Sequence, residues 1–480
     1  MTRLGEIDAR FQSYNIEMVE VTGGYFWRPY RDSAKTSSSP AVQAGQAGKS
    51  PSMVAYRKPI DLADQRLRKL AAALGPAYLR VSGTWANATY FDDAGDRATS
   101  PPAGFNGVLT RRQWTGVIDF ARAVDAKLVT SFAAVAATRD AGGVWTPAQA
   151  GKLIAFTQAT GGAVAAAEFI NEPDLAAGSG TPRGYDAASF ARDIAAFRAF
   201  LEQASPQTML LGPGTISGEA TDGAFSPDKL LAASGPAFDA ISYHHYGAPS
   251  QRCTKTAPPQ DASLSDDWLS DAARAETFYA GLRDRYAPGK ALWITETADA
   301  SCGGNRTDAT FLDSFRYLDQ LGRMAQSGVQ IVMHNTLAAS DYGLLDERDF
   351  APRPNYWAAL LWRRLMGTIV LDPGAAPSPQ LHLYAHCLRG RPGGVALLAI
   401  NKDRTQARSL ELPAPASRYT LAAADLTATR IKLNGRSLRL DAHGELPSIH
   451  GDTVAAGPLD LPPASISFLA VADAANPACR

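Results

Sequence analysis

Two glutamates stand out because each one follows a short apolar run. Glu172 lies in Ala167-Glu168-Phe169-Ile170-Asn171-Glu172-Pro173, and Glu296 follows residues 291–295, 124 positions later. An apolar run that stops at a carboxylate predicts a buried strand that carries an acid to a cleft. Two such strands would bring two acids together, and paired carboxylates are the catalytic groups of most glycoside hydrolases. In a retaining reaction the two carboxyls lie roughly 5–5.5 Å apart.

The two acids would need different surroundings. The one that protonates the leaving oxygen must hold its proton, so burial or a nearby negative charge has to raise its pKa. The one that attacks the anomeric carbon must stay ionised, so it needs hydrogen-bond donors around it. Either glutamate alone is also compatible with a strand-end carboxylate that caps a helix. Their occurrence together favours the catalytic interpretation.

A polar cluster, Tyr243-His244-His245-Tyr246, ends another predicted strand. A donor from this cluster would orient Glu296. A metal site is the competing interpretation, but adjacent residues on a strand point to opposite faces and rarely bind one ion. No third ligand is evident, so we predict no metal and no cofactor.

Two glycine-containing segments are further candidates. Thr84 follows Gly83 at a predicted strand end, where it would line a sugar subsite or belong only to a structural turn. Gly303 and Gly304 come shortly after the second glutamate. Glycines let backbone N–H groups approach an anion such as a carboxylate, although a Gly-Gly pair is also typical of a flexible loop.

The elements that would position these residues alternate along the chain from about residue 14 to residue 366. Strands are predicted over residues 15–20, 77–82, 127–132, 165–170, 208–212, 240–244, 292–295 and 329–333, and helices over residues 112–124, 147–160, 189–203 and 308–326. Eight strands with intervening helices are typical of parallel βα units and predict a (β/α)8 TIM barrel. Active sites of such barrels lie at the C-terminal ends of the strands, where Glu172 on the fourth strand and Glu296 on the seventh would meet.

The pattern changes near residue 366. Turn residues then separate short alternating runs over residues 381–387, 395–401, 409–412, 418–421, 431–433 and 465–470, a pattern that predicts an antiparallel β-sandwich. We therefore predict a catalytic barrel over residues 1–366, whose first residues could join the sandwich, and a β-sandwich domain over residues 367–480. Residues 32–48, rich in small and polar side chains, predict an exposed loop.

Composition excludes several classes of protein. The 480 residues are 45% hydrophobic and 20% charged, and 47 basic residues balance 47 acidic ones. The overall charge therefore indicates no nucleic-acid partner, although a local basic groove stays open. No apolar run approaches the roughly 20 residues of a membrane span, so no membrane partner is predicted. Charged residues among the first 25 predict that no signal peptide is present in this sequence, although one could have been removed.

Four cysteines, Cys253, Cys302, Cys387 and Cys479, lack the spacing of a zinc site. They fit two disulfides in an exported protein or four free thiols in a cytosolic enzyme, and the spacing alone does not give their pairing.

Taken together, the motifs resemble glycoside hydrolase family 79, the heparanase-like β-glucuronidases, and within it the bacterial members most. The matching motifs are Asn171-Glu172-Pro173, His244-His245-Tyr246, Glu296-Thr297, Gly303-Gly304, Asp341-Tyr342-Gly343-Leu344 and Pro354-Asn355-Tyr356-Trp357. The resemblance implies a retaining mechanism without metal, with Glu172 as acid/base and Glu296 as nucleophile. It also implies that Asn171 binds the sugar 2-hydroxyl and that Gly303, Gly304 and Tyr342 bind the uronate carboxylate, with Glu17, Thr84, His244, His245 and Tyr246 around the subsite. It implies a disulfide between Cys387 and Cys479, whereas a bridge between Cys253 and Cys302 lies outside the family pattern.

We therefore expect a monomeric, secreted or periplasmic endo-β-glucuronidase that cleaves glucuronic acid–glucosamine linkages in heparan sulfate-like glycosaminoglycans. The candidate contacts for sulfate groups are Arg111, Arg112, Arg183, Arg252 and Lys255. An exo-β-glucuronidase is the nearest competing hypothesis, and residues 32–52 would then supply a closing loop. A non-catalytic carbohydrate-binding protein and a structural surface protein are two further classes that the sequence leaves open.

Overall fold

The computed structural model describes residues 1–32, 53–98, 100–175, 180–216, 225–254 and 260–480. Its centre is a closed barrel of eight parallel strands, numbered here one to eight in chain order: Gln12–Glu17, Ala77–Ser82, Ala126–Ser131, Val164–Glu168, Met209–Thr215, Ala240–Pro249, Ala291–Ser301 and Ile331–His334. Strand eight pairs with strand one and closes the barrel. The predicted TIM barrel is confirmed.

Helices surround this barrel. The longer ones are Gln65–Ala72, Arg111–Ala123, Ala148–Ala159, Ala187–Ala204, Pro227–Ser234, Asp271–Tyr286, Phe311–Ser327 and Pro354–Leu365, and short ones span Met18–Thr22 and Asp266–Leu269. The helix Arg111–Ala123 illustrates why they form. Thr110 and Gln113 make reciprocal capping bonds at its start, and Trp114, Val117 and Ile118 are among the residues that it buries at helical spacing.

Strand one ends three residues before its predicted end. The carboxylate of Glu20 accepts a hydrogen bond from the backbone N–H of Glu17 at 2.9 Å, and Met18–Thr22 form a short helix. This local bond takes the chain out of the strand and leaves Glu17 as its last residue.

An apolar layer fills the barrel near the N-terminal ends of its strands. It consists of one or two side chains from each of strands two to eight, namely Tyr78, Val129, Ala166, Leu211, Ala240, Trp293, Ile331 and Met333. Because side chains on one face of a strand recur every second residue, the next inward positions toward the C-terminal ends are polar. These positions include Arg80 after Tyr78, Glu168 after Ala166, Ser242 and His244 after Ala240, and Thr295 after Trp293.

A β-sandwich follows the barrel. Within the described residues its larger sheet has nine strands: Arg3–Glu6, Met366–Leu371, Leu381–Leu388, Val395–Asn401, Ala416–Ala422, Lys432–Leu433, Arg436–Ser437, Asp452–Val454 and Ser465–Val471. A smaller sheet of Arg408–Leu412 and Gly457–Leu461 covers one face of it. The strand Arg3–Glu6 pairs with Met366–Leu371, so the start of the chain lies in this sheet. The division into domains at residue 366 stays a prediction.

Two disulfides are present. One joins Cys387 on a sandwich strand to Cys479 near the end of the chain, with Cα atoms 5.3 Å apart. The other joins Cys253 to Cys302, on the segments that follow barrel strands six and seven, with Cα atoms 6.6 Å apart. None of the helices in the described part of the chain has the length and apolar character that crossing a membrane requires.

Candidate active site

Arg80, from the middle of strand two, lies at the centre of the polar end of the barrel and is 1% exposed. Its Nε donates to Glu168 Oε2 at 3.0 Å, its Nη1 donates to Glu296 Oε2 at 2.8 Å and its Nη2 donates to Asn171 Oδ1 at 2.6 Å. A guanidinium is always charged and only donates, so Arg80 holds these three acceptors in fixed positions. Burial alone would lower the pKa of Arg80, but Glu168 and Glu296 raise it, and the group stays charged.

Glu172 and Glu296 come together beside Arg80. One carboxylate oxygen of each and a ring nitrogen of His244 all lie within 4.8 Å of one another. The two glutamates are 6% and 5% exposed. Glu296 lies within strand seven, directly opposite His244 on strand six, whereas Glu172 follows strand four by four residues and has a φ of 49°. Their separation is compatible with the roughly 5–5.5 Å spacing that a double displacement requires.

His244 lies between the two glutamates. Its Nδ1 is 3.0 Å from Glu172 Oε1 and its Nε2 is 3.2 Å from Arg80 Nη2. Because the guanidinium cannot accept, Nε2 must accept, and Nδ1 therefore carries the proton that is donated to Glu172. Burial lowers the pKa of His244, but the charge of Glu296 and the hydrogen bond to Glu172 outweigh it, so the net pKa is raised.

The pKa of Glu172 is raised above its ordinary value. Burial is the largest cause, the hydrogen bond from His244 opposes it, and the charge of Glu296 adds to the rise. A carboxyl that keeps its proton closer to neutral pH is suited to general acid catalysis. Glu296 instead accepts hydrogen bonds from Arg80 and, at 2.5 Å, from Tyr246 Oη. These two donors hold its carboxylate in place.

Glu17, the last residue of strand one, is a third buried acid near this pair and is 4% exposed. Burial, together with the charge of Glu296, raises its pKa well above the ordinary value. Asn335 connects Glu17 to the site, since its Nδ2 donates to Glu17 Oε1 at 3.2 Å and to Tyr246 Oη at 2.9 Å. Gly83 makes room for Glu17: a Cβ there would lie 1.6 Å from Glu17 Oε2.

Gly303 and Gly304 both have a φ of 84°, in the left-handed region. A Cβ on Gly303 would lie 2.3 Å from Trp27 Cβ, and a Cβ on Gly304 would lie 2.6 Å from Asp308 Oδ2, so only glycine fits at either position. The loop of Tyr342 packs against them, and the N–H of the preceding Asp341 donates to Gly303 O at 3.1 Å. Burial raises the pKa of Tyr342 well above its ordinary value, and the charges of Glu17 and Glu296 raise it further.

Sequence comparison identifies the family of this chain. The model of the N-terminal domain of glycosyl hydrolase family 79 matches residues 53–322, a range that contains both Glu172 and Glu296. The chain belongs to glycosyl hydrolase family 79. It is therefore a glycoside hydrolase, and the predicted resemblance to this family is confirmed.

The chain is also similar to several proteins in sequence, and to solved structures in fold. This family 79 chain is 27% identical over 478 residues to heparanase-like protein 1 of Arabidopsis thaliana, which covers 88% of this chain and 86% of that protein. It is 31% identical over 269 residues to heparanase of Gallus gallus, covering 52% of this chain and 50% of that protein. The fold matches a 4-O-α-L-rhamnosyl-β-D-glucuronidase from Fusarium oxysporum 12S with a TM-score of 0.64, at 14% identity and over 98% of this chain and 97% of that one.

The remaining predicted contact residues of this family 79 enzyme have varied surroundings. His245 points away from His244, with its Nε2 3.8 Å from Asp271 Oδ2, and burial lowers its pKa to about 4. Thr84 is half-buried and follows Gly83 directly. Arg252, a predicted sulfate contact, is instead paired within the protein: its Nη2 lies 3.0 Å from Asp341 Oδ2 and its Nη1 donates to Arg28 O. Arg111, Arg112 and Arg183 are exposed. Lys255 lies outside the described residues, as does all but the first residue of the loop predicted over residues 32–48 and of the closing loop over residues 32–52.

Four residues of the site have roles that the sequence patterns did not indicate: Arg80, Asn87, Glu168 and Asn335. Glu168 accepts hydrogen bonds from Ser242 and Thr295 at 2.7 Å each, and its pKa is lowered because Arg80 and these donors outweigh burial. Asn87 exchanges two hydrogen bonds with the backbone of Asn171, at 2.8 and 2.9 Å. Arg80 and Glu168 could have been found from the sequence, because each is a charged residue in an otherwise apolar predicted strand.

The spacing of Glu172, His244 and Glu296 would also suit a cation. Arg80 and Tyr246 donate hydrogen bonds to Glu296, and His244 donates one to Glu172. The carboxylate oxygens that would bind a cation therefore already accept hydrogen bonds from the protein. The prediction that catalysis uses neither metal nor cofactor stays a prediction.

Proposed function

We propose that the protein is a retaining endo-β-glucuronidase that cleaves glucuronic acid–glucosamine linkages in heparan sulfate-like glycosaminoglycans. The observation that carries this proposal is the placement of Glu172 and Glu296 within 4.8 Å of each other and of His244. The similarity to proteins named heparanase and heparanase-like protein supports the substrate class. Two disulfides support a secreted or periplasmic location, because disulfides persist in oxidising compartments.

The reaction proceeds in two steps. A carboxylate oxygen of Glu296 attacks the anomeric carbon of glucuronate while the bond to the leaving oxygen breaks, and the proton of Glu172 passes to that oxygen. A covalent glycosyl-enzyme remains. Glu172, now ionised, takes a proton from a water molecule whose oxygen attacks the same carbon and releases Glu296. Two inversions leave the configuration unchanged.

The surrounding residues take positioning roles. Arg80 accepts no bond and donates to Oδ1 of Asn171, so the Nδ2 of Asn171 is oriented as a donor to the sugar 2-hydroxyl. That contact strengthens as the oxocarbenium-like transition state forms. The backbone N–H groups around Gly303 and Gly304, together with Tyr342, bind the uronate carboxylate in this proposal.

Exo action on terminal glucuronate is the second candidate. The observation that favours it is the burial of both glutamates, 6% and 5% exposed, which indicates a narrow approach to the site. Endo action requires a cleft that is open at both ends. A defined heparan oligosaccharide separates the two, because endo cleavage gives internal fragments and exo cleavage gives monomeric glucuronate alone.

A mechanism-based glucuronide inactivator followed by mass spectrometry tests the assignment of the nucleophile. We expect the label on Glu296. Glu172→Ala should then reduce kcat on an unactivated oligosaccharide by roughly 10²–10⁴-fold, with a smaller loss on an aryl glucuronide whose leaving group needs no proton. A label on another carboxylate, or equal losses on both substrates, would reject these roles.

A further inference from the structure

A cavity of about 950 Å³ lies where the loops that follow strands seven and eight meet the sandwich. Six arginines line it, namely Arg31, Arg66, Arg306, Arg353, Arg430 and Arg439, against three aspartates. The whole chain has equal numbers of basic and acidic residues. The excess of positive charge is therefore local to this cavity, which we call the arginine groove.

The three aspartates of the arginine groove already have partners. Asp346 accepts from Arg31 Nη2 at 2.8 Å, and Asp341 lies 3.0 Å from Arg252. Asp441 accepts from the backbone N–H groups of two neighbouring residues, at 2.8 Å each. Each aspartate is thus already hydrogen-bonded or ion-paired within the protein, and Arg31, which pairs with Asp346, is itself one of the groove arginines.

Several arginines of the groove have no such partner. Arg306, Arg430 and Arg439 are exposed, and within the described part of the chain no carboxylate forms an ion pair with any of them. Arg306 stacks on the ring of Tyr30, 4.7 Å from its centroid, and Arg66 donates to the backbone carbonyl of Asp349. These guanidinium groups face a space large enough for a chain of sugar residues.

The arginine groove is built on fixed elements. The sandwich segment that carries Arg430 and Arg439 is attached to the first turn of the helix Phe311–Ser327, where the N–H groups of Phe311 and Leu312 donate to Ala428 O and Leu426 O at 2.9 and 2.8 Å. Leu438 and Leu440 on the same segment pack against the main core. The backbone that carries Arg430 and Arg439 is therefore fixed against the barrel before any ligand binds.

The groove also shares two loops with the proposed active site. Arg306 comes two residues after Gly304, and Asp341 immediately precedes Tyr342. Tyr30 Oη is 2.9 Å from Ser250 Oγ, which in turn donates to Gly304 O at 2.8 Å. A saccharide held with its uronate against these glycines lies next to the groove.

We propose that the arginine groove binds sulfate or carboxylate groups of an anionic saccharide chain, away from the linkage that is cleaved. This inference rests on the proposed function and extends it to a second binding region on the sandwich. Planar guanidinium groups match the geometry of sulfate and carboxylate oxygens and bind them in bidentate fashion. The sandwich then contributes to substrate binding in addition to supporting the barrel.

The test measures binding in a variant that does not turn over. In a Glu296→Gln background, R430Q/R439Q is compared with K432Q/R436Q. The control pair removes the same charge from the same hairpin at exposed positions that do not line the groove. The ligands are a sulfated and an unsulfated oligosaccharide of alternating glucuronate and glucosamine, measured by titration calorimetry at about 0.05 and 0.3 M salt, a range over which the screening length changes markedly.

We expect R430Q/R439Q to weaken binding about tenfold, because two exposed ion pairs with the ligand are lost. The loss should shrink at the higher salt, where exposed charges are screened, and K432Q/R436Q should bind as the background does. A loss confined to the sulfated ligand assigns sulfate, and a loss on both ligands assigns the carboxylate. Unchanged saccharide affinity in R430Q/R439Q, or an equal loss of affinity in K432Q/R436Q, overturns the proposal. The proposal is also overturned if R430Q/R439Q loses affinity for a single-stranded DNA probe but not for the saccharides.

Failure of the proposed function has a different signature. Wild-type protein that releases nothing from glucuronides would reject the enzymatic assignment, whereas the groove is measured through binding alone. Thermal unfolding of both double variants shows that they are folded.

Discussion

Tyr246 and Tyr243 lie three residues apart on strand six, but only one contacts the proposed nucleophile. Tyr246 Oη donates to Glu296 Oε1 at 2.5 Å, whereas the buried Oη of Tyr243 has no hydrogen-bond partner among the described residues. A hydrogen bond to a charged group contributes ~1.5–3 kcal/mol. Tyr246→Phe should therefore lower kcat/KM for an aryl glucuronide roughly 10- to 150-fold. Tyr243→Phe, which keeps its ring stacked on Tyr279 at 4.2 Å, should stay near wild type, and equal effects would contradict this role.

His244 should control the alkaline limb of the pH profile. Glu172 must be protonated to act as an acid, so activity falls as pH rises through the pKa of Glu172. The hydrogen bond that His244 donates to Glu172 lowers that pKa. His244→Ala should thus raise the pKa of Glu172 and move the alkaline limb of kcat/KM to higher pH, in addition to slowing the reaction. A slower enzyme with an unmoved limb would mean that His244 acts only on structure.

The two glutamates were predictable because a carboxylate at the end of an apolar run is a local pattern. A donor to Glu296 from the cluster Tyr243–Tyr246 was predicted as well, and Tyr246 makes that contact. Arg80 and Asn335 were not predicted, because their contacts depend on which strands pair in the barrel. Asn335 follows strand eight as Glu17 ends strand one, and only the pairing of these two strands brings them to 3.2 Å. His245 was predicted beside the sugar subsite together with His244, but only His244 contacts Glu172, and His245 lies near Asp271.

At the scale of elements, Gly83 determines how closely strand two can approach Glu17. It has a φ of 90°, and a Cβ there would lie 1.6 Å from Glu17 Oε2. Gly95 has a φ of 96° with nothing within 4 Å of the corresponding position. Backbone strain of this kind costs about 1–3 kcal/mol in both Gly→Ala variants, but only Gly83→Ala should also displace Glu17. Comparable melting temperatures with a much lower kcat/KM for Gly83→Ala would support this, and equal activities would not.

The ends of the strands were harder to predict than their existence. Strand two has its predicted bounds, yet strands six and seven continue to Pro249 and Ser301, five and six residues past the predicted ends. They pair with each other along this extension. Apolar spacing reveals only the part of a strand that packs in the core, and here pairing extends beyond the core into the catalytic loops.

The whole molecule has a core that crosses from barrel to sandwich. Tyr384, Leu398 and Phe468 on one face of the larger sheet belong to the same apolar cluster as the barrel helices. Gly322 allows the close approach, because a Cβ there would lie 2.3 Å from the ring of Tyr384, and Tyr384 Oη donates to buried Asp319 at 2.6 Å. The predicted β-sandwich is therefore fixed against the barrel, which is why a sandwich loop can form one wall of the arginine groove.

The two disulfides constrain different parts of this assembly and should respond differently to removal. Cys387–Cys479 closes a segment of 92 residues within the sandwich, so C387S/C479S should lower the free energy of unfolding by about 2–4 kcal/mol with little change in KM. Cys253–Cys302 closes 49 residues and adjoins Gly303. Because it restrains the loop that we assign to uronate binding, C253S/C302S should raise KM as well as lower stability. Chemical unfolding and steady-state kinetics on both pairs test this, and an unchanged KM in C253S/C302S would show that the loop keeps its conformation without the bond.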